Sequence, residues 1–201
     1  MAPDSTARRP GAARRRGSSV SGVRKSLAKV EIALRWDPSP AGTPANDLDI
    51  VAAVYAAADP YGEPVYLVHF GSRAPDGTIT LARDSRTGQG FGFDEVMTLE
   101  LDRLAPELGR VVVGVVIQDA GPAAAPDRKT FAAVGGTGLR VREGYTDLAT
   151  TDFAELAGAS AATVAEFTRD AAGGWTLDAR TRGFDADPQE YARVMGAAPR
   201  G

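Results

Sequence analysis

The chain has 201 residues, of which 43% are apolar and 24% charged, with a formal net charge of −3. That suffices for a real core and fits one domain, with or without a tail. There is no cysteine and a single histidine, His69. This removes disulfides, thiolate nucleophiles, cysteine-ligated zinc and iron–sulfur clusters, and would route any Ser-His-Asp mechanism through one residue.

The modest net charge hides an uneven distribution. Residues 1–25 carry seven Lys or Arg against Asp4 alone, whereas the remainder holds sixteen basic and twenty-five acidic residues. Residues 1–22 are rich in Arg, Ala, Gly and Ser and are expected to form a disordered basic tail. The tail reads either as a solvated leader or as a polybasic arm that contacts anionic surfaces. The acidic body is a poor nucleic-acid binder by itself, so no specific nucleic-acid partner is expected. No apolar run is long enough to span a membrane. The basic start lacks the apolar stretch of a secretory signal, so a cytoplasmic location is expected.

From residue 29 the pattern is mostly two-residue alternation. KVEIALRW (29–36) places Val30, Ile32, Leu34 and Trp36 on one face. DIVAAVYA (49–56) is apolar almost throughout, as in a strand covered on both faces. VYLVHF (65–70), TITLAR (78–83), VMTLEL (96–101) and RVVVGVVIQ (110–118) follow, then LRVRE (139–143), TVAEFTR (163–169) and GWTLDAR (174–180). Turn signals at Pro38-Ser39-Pro40, Asp76-Gly77, Gly135-Gly136 and Gly173-Gly174 separate them. LDRLAPEL (101–108) offers a helical turn. Asp187, Pro188 and Glu190 form a helix start, with Tyr191, Val194 and Met195 on the apolar face. The pattern predicts an all-β sandwich of two antiparallel sheets with a few short helices. It spans residues 23–186 and is followed by a short C-terminal helix and tail at 187–201.

The residues offer little to an enzyme. His69 sits in an apolar strand, where a histidine is more often packed or at an edge than catalytic. There is no nucleophile elbow and no phosphate-binding P-loop. The acids are more suggestive. Asp47 and Asp49 are two apart and share one face of a strand, a costly like-charge pair unless a cation or base lies between them. DSRTGQGFGFDE (84–95) adds Asp84, Asp94 and Glu95, with Gly88, Gly90 and Gly92 free to turn carbonyls inward and Thr87 able to add a hydroxyl. Calcium wants six to eight such oxygens. The loop is not an EF-hand: Arg86 and Gly88 fall where ligands belong, Gln89 where Gly is needed, and strands flank it. The plainer alternative is a turn-capping Asp-x-Asp and an ordinary glycine-rich loop at a sandwich end.

Taken together, SLAKVEIALRWDP (26–38), NDLDIVAAVY (46–55), the stretch 65–104, FAAVGGTGLRVRE (131–143) and AEFTRDAAGGWTLDARTRGF (165–184) resemble the TerD family of tellurium-resistance and stress-response domains. The resemblance covers about residues 23–185. It implies a β-sandwich that binds Ca²⁺ through acidic loops at one end, without catalytic activity. It also implies partnership with other stress-response proteins, including assemblies at the inner face of the membrane. On that resemblance the metal set is Asp47, Asp49, Asp84, Gly88, Gly90, Asp94 and Glu95. The family loop carries acids or Asn where this chain has Ser85, Gln89, Phe91 and Phe93. Three of six acids remain, and calcium affinity follows ligand charge. The expectation is that one of two calcium sites is lost and the other survives at reduced affinity or stoichiometry. A metal-independent interaction or scaffold protein of the same fold is the alternative. Phe91 and Phe93 read either as a contact surface or as rings tucked into the sandwich end.

Overall fold

The computed structural model describes residues 26–118, 120–121 and 128–198. The expected tail at 1–22 lies outside them. The strands are β1 (Lys29–Arg35), β2 (Leu48–Ala56), β3 (Tyr66–Val68), β4 (Ile79–Arg83), β5 (Glu95–Glu100), β6 (Leu108–Ile117), β7 (Gly138–Glu143), β8 (Thr146–Thr151), β9 (Ala161–Arg169), β10 (Trp175–Asp178) and β11 (Arg182–Phe184). A single α-helix, α1 (Pro188–Val194), closes the described fold. Among the described residues no helix is long and apolar enough to cross a membrane.

Two antiparallel sheets form a sandwich, as the alternation predicts. One runs β4-β5-β1-β7-β8. The other runs β10-β9-β6-β2-β3, with β11 pairing β9 beyond the end of β10. The inward faces interdigitate as one apolar cluster. Val30, Ile32 and Leu34 of β1 and Met97 and Leu99 of β5 meet Ile50, Ala52 and Val54 of β2 and Val111, Val113 and Val115 of β6. At about 25 cal/mol per Å² of buried apolar surface, this contact is the dominant stabilising term.

Strand β2 is buried on both faces, as its nearly continuous apolar run requires. Its second face, Val51, Ala53 and Tyr55, joins Val112, Val116 and Ala161 under Ala186, Tyr191 and Met195. Helix α1 starts as its residues dictate: the Asp187 side chain accepts a hydrogen bond from Glu190 N at 2.8 Å, and Pro188 occupies the first turn. Gly114 admits the helix, because a Cβ there would stand 1.7 Å from the Tyr191 hydroxyl. Arg110 fastens the same region. It is buried and bidentate to Glu166, and its Nη1 donates to Pro60 O and Gly196 O, both at 2.8 Å.

Two differences from the sequence reading are informative. Thr146–Thr151 is a strand although its residues lack an apolar alternation; it is an edge strand, paired only to β7 across the tight Gly144-Tyr145 turn. Arg182–Phe184 is a strand because it lies along the free edge of β9. The helical turn expected near 101–108 is present as one 3₁₀ turn, Leu101–Arg103, followed by the start of β6 at Leu108.

Candidate metal centre

The carboxylates converge because of strand phase. In β5 the residues Glu95, Met97 and Leu99 face inward while Val96 and Thr98 face out. Glu95 therefore carries a carboxyl group into the end of the core and is 0% exposed. Strand β3 pairs β2 only opposite Ala52–Val54, so the amide of Ile50 has no strand partner on that edge. Glu95 Oε2 accepts it at 2.6 Å. Glu95 thus joins the two sheets at one end of the sandwich.

One carboxylate oxygen from each of Asp49, Asp84 and Glu95 lies within 4.8 Å of the others. Asp49 is the second residue of β2, Asp84 follows β4 directly, and Glu95 opens β5, so three different strands position the cluster. Asp47 lines the same opening of about 170 Å³ with Asp49, Asp84, Phe70, Arg86 and Gln118. Asp49 Oδ2 and Glu95 Oε1 are buried and accept no hydrogen bond among the described residues, an expensive arrangement for oxygen acceptors.

The electrostatics follow from the burial. Desolvation first, then the charge of Asp47, pushes the Asp49 carboxyl up to about 6, with the nearby Gln118 and Glu95 side chains opposing the shift. Burial, then the Asp49 charge, raises Glu95 to about 10. Without a cation, then, Glu95 holds a proton at neutral pH. Arg73 Nη1 reaches Asp84 at 3.6 Å and is the cation nearest to the cluster by ion pairing.

The remaining candidates are placed differently. Asp94 precedes Glu95 and faces the other way: its Oδ2 accepts from Trp36 N at 3.0 Å while its own amide donates to Leu34 O at 2.8 Å. It closes the end of the β1–β5 pairing. Gly88 is a close-approach position. Its φ is +63°, and a Cβ there would stand 2.6 Å from Trp36 Nε1 and 2.8 Å from Trp36 O. That indole in turn donates to Asn46 O at 2.8 Å, which anchors the segment leading to Asp47. Gly90 has φ +142° and is exposed. Phe91 is 102% exposed at the loop tip, whereas Phe93 is half-buried beneath the Arg140 guanidinium, 4.5 Å from the ring centre. One ring is displayed and the other is tucked in.

Sequence reasoning gave no role to Phe70, Arg73, Arg86 or Gln118. Gln118 had a findable signal: it is the first polar residue after the long apolar run of β6, and β6 pairs antiparallel with β2, whose start the Asp-x-Asp pair brackets. Its amide donates to Asp47 O at 2.9 Å. His69 ends the β3 segment, with its Nδ1 accepting from Gly71 N at 3.2 Å.

The donor set suits a hard cation. It is all oxygen, it converges, and two of its buried oxygens lack donors.

Comparison with known proteins agrees with the fold. The TerD domain family model matches residues 15–193. Tellurium resistance protein TerD of Serratia marcescens is 28% identical over 142 residues, covering 68% of this chain and 71% of that protein. TerD of Alcaligenes sp. is 29% identical over 140 residues, with the same coverage. Among solved structures, a homologue of the telluride resistance protein TerD from Streptomyces coelicolor A3(2) superposes with a TM-score of 0.80 at 55% identity, covering 86% of this chain and 99% of that one. The crystal structure of another protein, described as of unknown function, gives 0.82 at 56% identity, covering 87% and 100%.

Proposed function

The chain belongs to the TerD family of tellurium-resistance-type proteins, and from that premise we propose that it is a calcium-binding stress-response module that acts by binding rather than by catalysis. The observation that carries the proposal is the meeting of Asp49, Asp84 and Glu95 oxygens within 4.8 Å, with Asp49 Oδ2 and Glu95 Oε1 buried and unmatched. Asp49, Asp84 and Glu95 would hold the ion, with Asp47 beside them. The ion would supply charge neutralisation that ties β2, β5 and the segment after β4 together. That is a structural role, coupling ion level to the shape of one end of the sandwich. With three converging carboxylates, we read one ion rather than two, in keeping with a loop that keeps three acids. Its partners would be other stress-response proteins, with cytoplasmic residence and peripheral contact at the inner membrane face as part of the same proposal.

A second reading has its own support. Arg73 already pairs with Asp84 and Arg86 lines the opening, so protons and arginines could balance the acids in a metal-independent scaffold. Calorimetric titration with calcium, together with melting in calcium and in chelator, separates the two. Saturable heat and a raised Tm that Asp49→Ala abolishes support the calcium module. No heat at millimolar calcium and a chelator-insensitive Tm support the scaffold.

A further inference from the structure

We propose that the recess beside β7 and β8, on the five-stranded sheet, is a second binding site, for a small ligand carrying one phosphate or carboxylate group next to an apolar body. The recess has a volume of about 640 Å³, the largest described, and Asp49, Asp84 and Glu95 take no part in its lining. Arg35, Phe93, Thr137, Arg140, Thr150 and Leu156 are among its walls.

The register makes the site basic. Arg35 pairs with Gly138 and Ala33 pairs with Arg140 across β1 and β7, so the two arginines are diagonal neighbours on one face, with no acid at either intervening position. Gly138 lacks the side chain that would hold Arg35 away from the sheet: Arg35 Nε lies 3.0 Å from where its Cβ would stand. The Arg35 guanidinium makes no ion pair or hydrogen bond among the described residues. Arg140 is stacked on Phe93, and its Nε is buried without a hydrogen-bond acceptor. Asp147, the carboxylate nearest to it, is 3.8 Å away and largely exposed.

Other arginines of the molecule are neutralised at close range. Arg110, Arg142 and Arg180 all meet carboxylates at 2.6–2.8 Å, and acids outnumber bases in the body of the chain. Two under-neutralised guanidiniums side by side repel each other, and an oxyanion between them reverses that cost. Thr150 adds a hydroxyl at the rim. Phe93, Ala149 and Leu156, all only partly buried, also line the recess and offer the apolar surface for the ligand's body. Asp152 and Glu155 share the lining and would repel a polyanion. The chemistry therefore selects one anionic group with an apolar neighbour rather than a nucleic-acid backbone.

The test is calorimetric titration of the full chain at constant ionic strength with inorganic phosphate, phenyl phosphate and benzoate. At least one of the two aromatic anions is expected to bind saturably with a Kd of about 1 mM or below, and about tenfold tighter than inorganic phosphate. The tighter of the two identifies the preferred oxyanion. Arg35→Gln and Arg140→Gln should each weaken it about tenfold, while Arg103→Gln, beside the opposite end of β1 and outside the lining, should leave it unchanged. Chemical-shift changes on the unsubstituted protein should fall on Arg35, Phe93, Arg140 and Thr150. No saturable binding by any probe at about 10 mM, equal weakening by Arg103→Gln, or shifts confined to other residues would overturn the proposal.

Discussion

Asp49→Asn should stabilise the protein in chelator at pH 7.5. The Asp49 carboxyl is 2% exposed, and burial with the neighbouring Asp47 charge lifts it from 3.8 to about 6. A carboxyl raised in the folded state binds its proton more tightly there than in the unfolded chain. Its contribution to stability is therefore fully present below the ordinary value, falls as pH climbs through about 6, and is gone above that. The difference is worth about 3 kcal/mol at neutral pH. The neutral amide removes that cost but must place an NH₂ among oxygens, so a net gain of about 1.5–3 kcal/mol is expected. At roughly 2–4 °C per kcal/mol for a chain of this size, Tm should rise by about 3–12 °C.

The assay is thermal unfolding of both proteins in chelator at pH 7.5 and at pH 4, then at pH 7.5 with calcium. At pH 4 the gain should nearly vanish, because Asp49 is then protonated in the folded protein anyway. With calcium at a thousand times its Kd the order should invert: the unsubstituted protein gains about 4.1 kcal/mol of linkage and the variant does not. A variant that melts at or below the parent in chelator at pH 7.5 refutes the electrostatic account of the cluster.

Further consequences can be checked separately. Calcium affinity should fall steeply from pH 7.5 to pH 5.5, and binding should release protons, since Asp49 and Glu95 sit at about 6 and about 10 before the ion arrives; titration in buffers of different ionisation enthalpy counts them. Gly88→Ala should cost about 1–3 kcal/mol, from a positive φ and a clash with Trp36, seen as a lower urea midpoint. Arg110→Met should cost about 2–3 kcal/mol through loss of the Glu166 pair and the Gly196 and Pro60 carbonyl contacts, with faster amide exchange in α1. Tyr191→Phe should be neutral or stabilising by chemical denaturation, because its buried hydroxyl has no hydrogen-bond partner.

The strands were legible wherever a face was committed to the core. Val30, Ile32 and Leu34 announce β1 by alternation, and the unbroken run at 49–56 announces a strand with two covered faces, one of them beneath a helix that the Asp187-Pro188 cap also announces. Strand β8 was not legible, because an edge strand with one neighbour needs no apolar phase; Thr146, Asp147 and Thr150 are exposed and held by pairing with β7. Nor was β11, whose three residues follow the β9 edge rather than a preference of their own. Partners across a sheet are tertiary facts, and the sequence period carries only burial.

The same distinction governs the acidic site. Read as a string, residues 84–95 suggest that phenylalanines have displaced ligands from a loop. In the fold, the converging oxygens come from strand ends, Asp49 and Glu95, and from Asp84 directly after β4, rather than from the loop tip. Phe91 stands in solvent and Phe93 turns to Arg140 on the outer face of the five-stranded sheet, so neither ring occupies the cluster. Phase explains this: Asp94 and Glu95 are adjacent, yet one is spent on Trp36 N and the other enters the core end. The substitutions at 89, 91 and 93 therefore remove charge around the loop tip without touching the three carboxylates that meet. A loop that looks impoverished in sequence is compatible with a cluster that is complete within itself, and restoring Asp at position 91 should leave calcium affinity changed by far less than Glu95→Gln does.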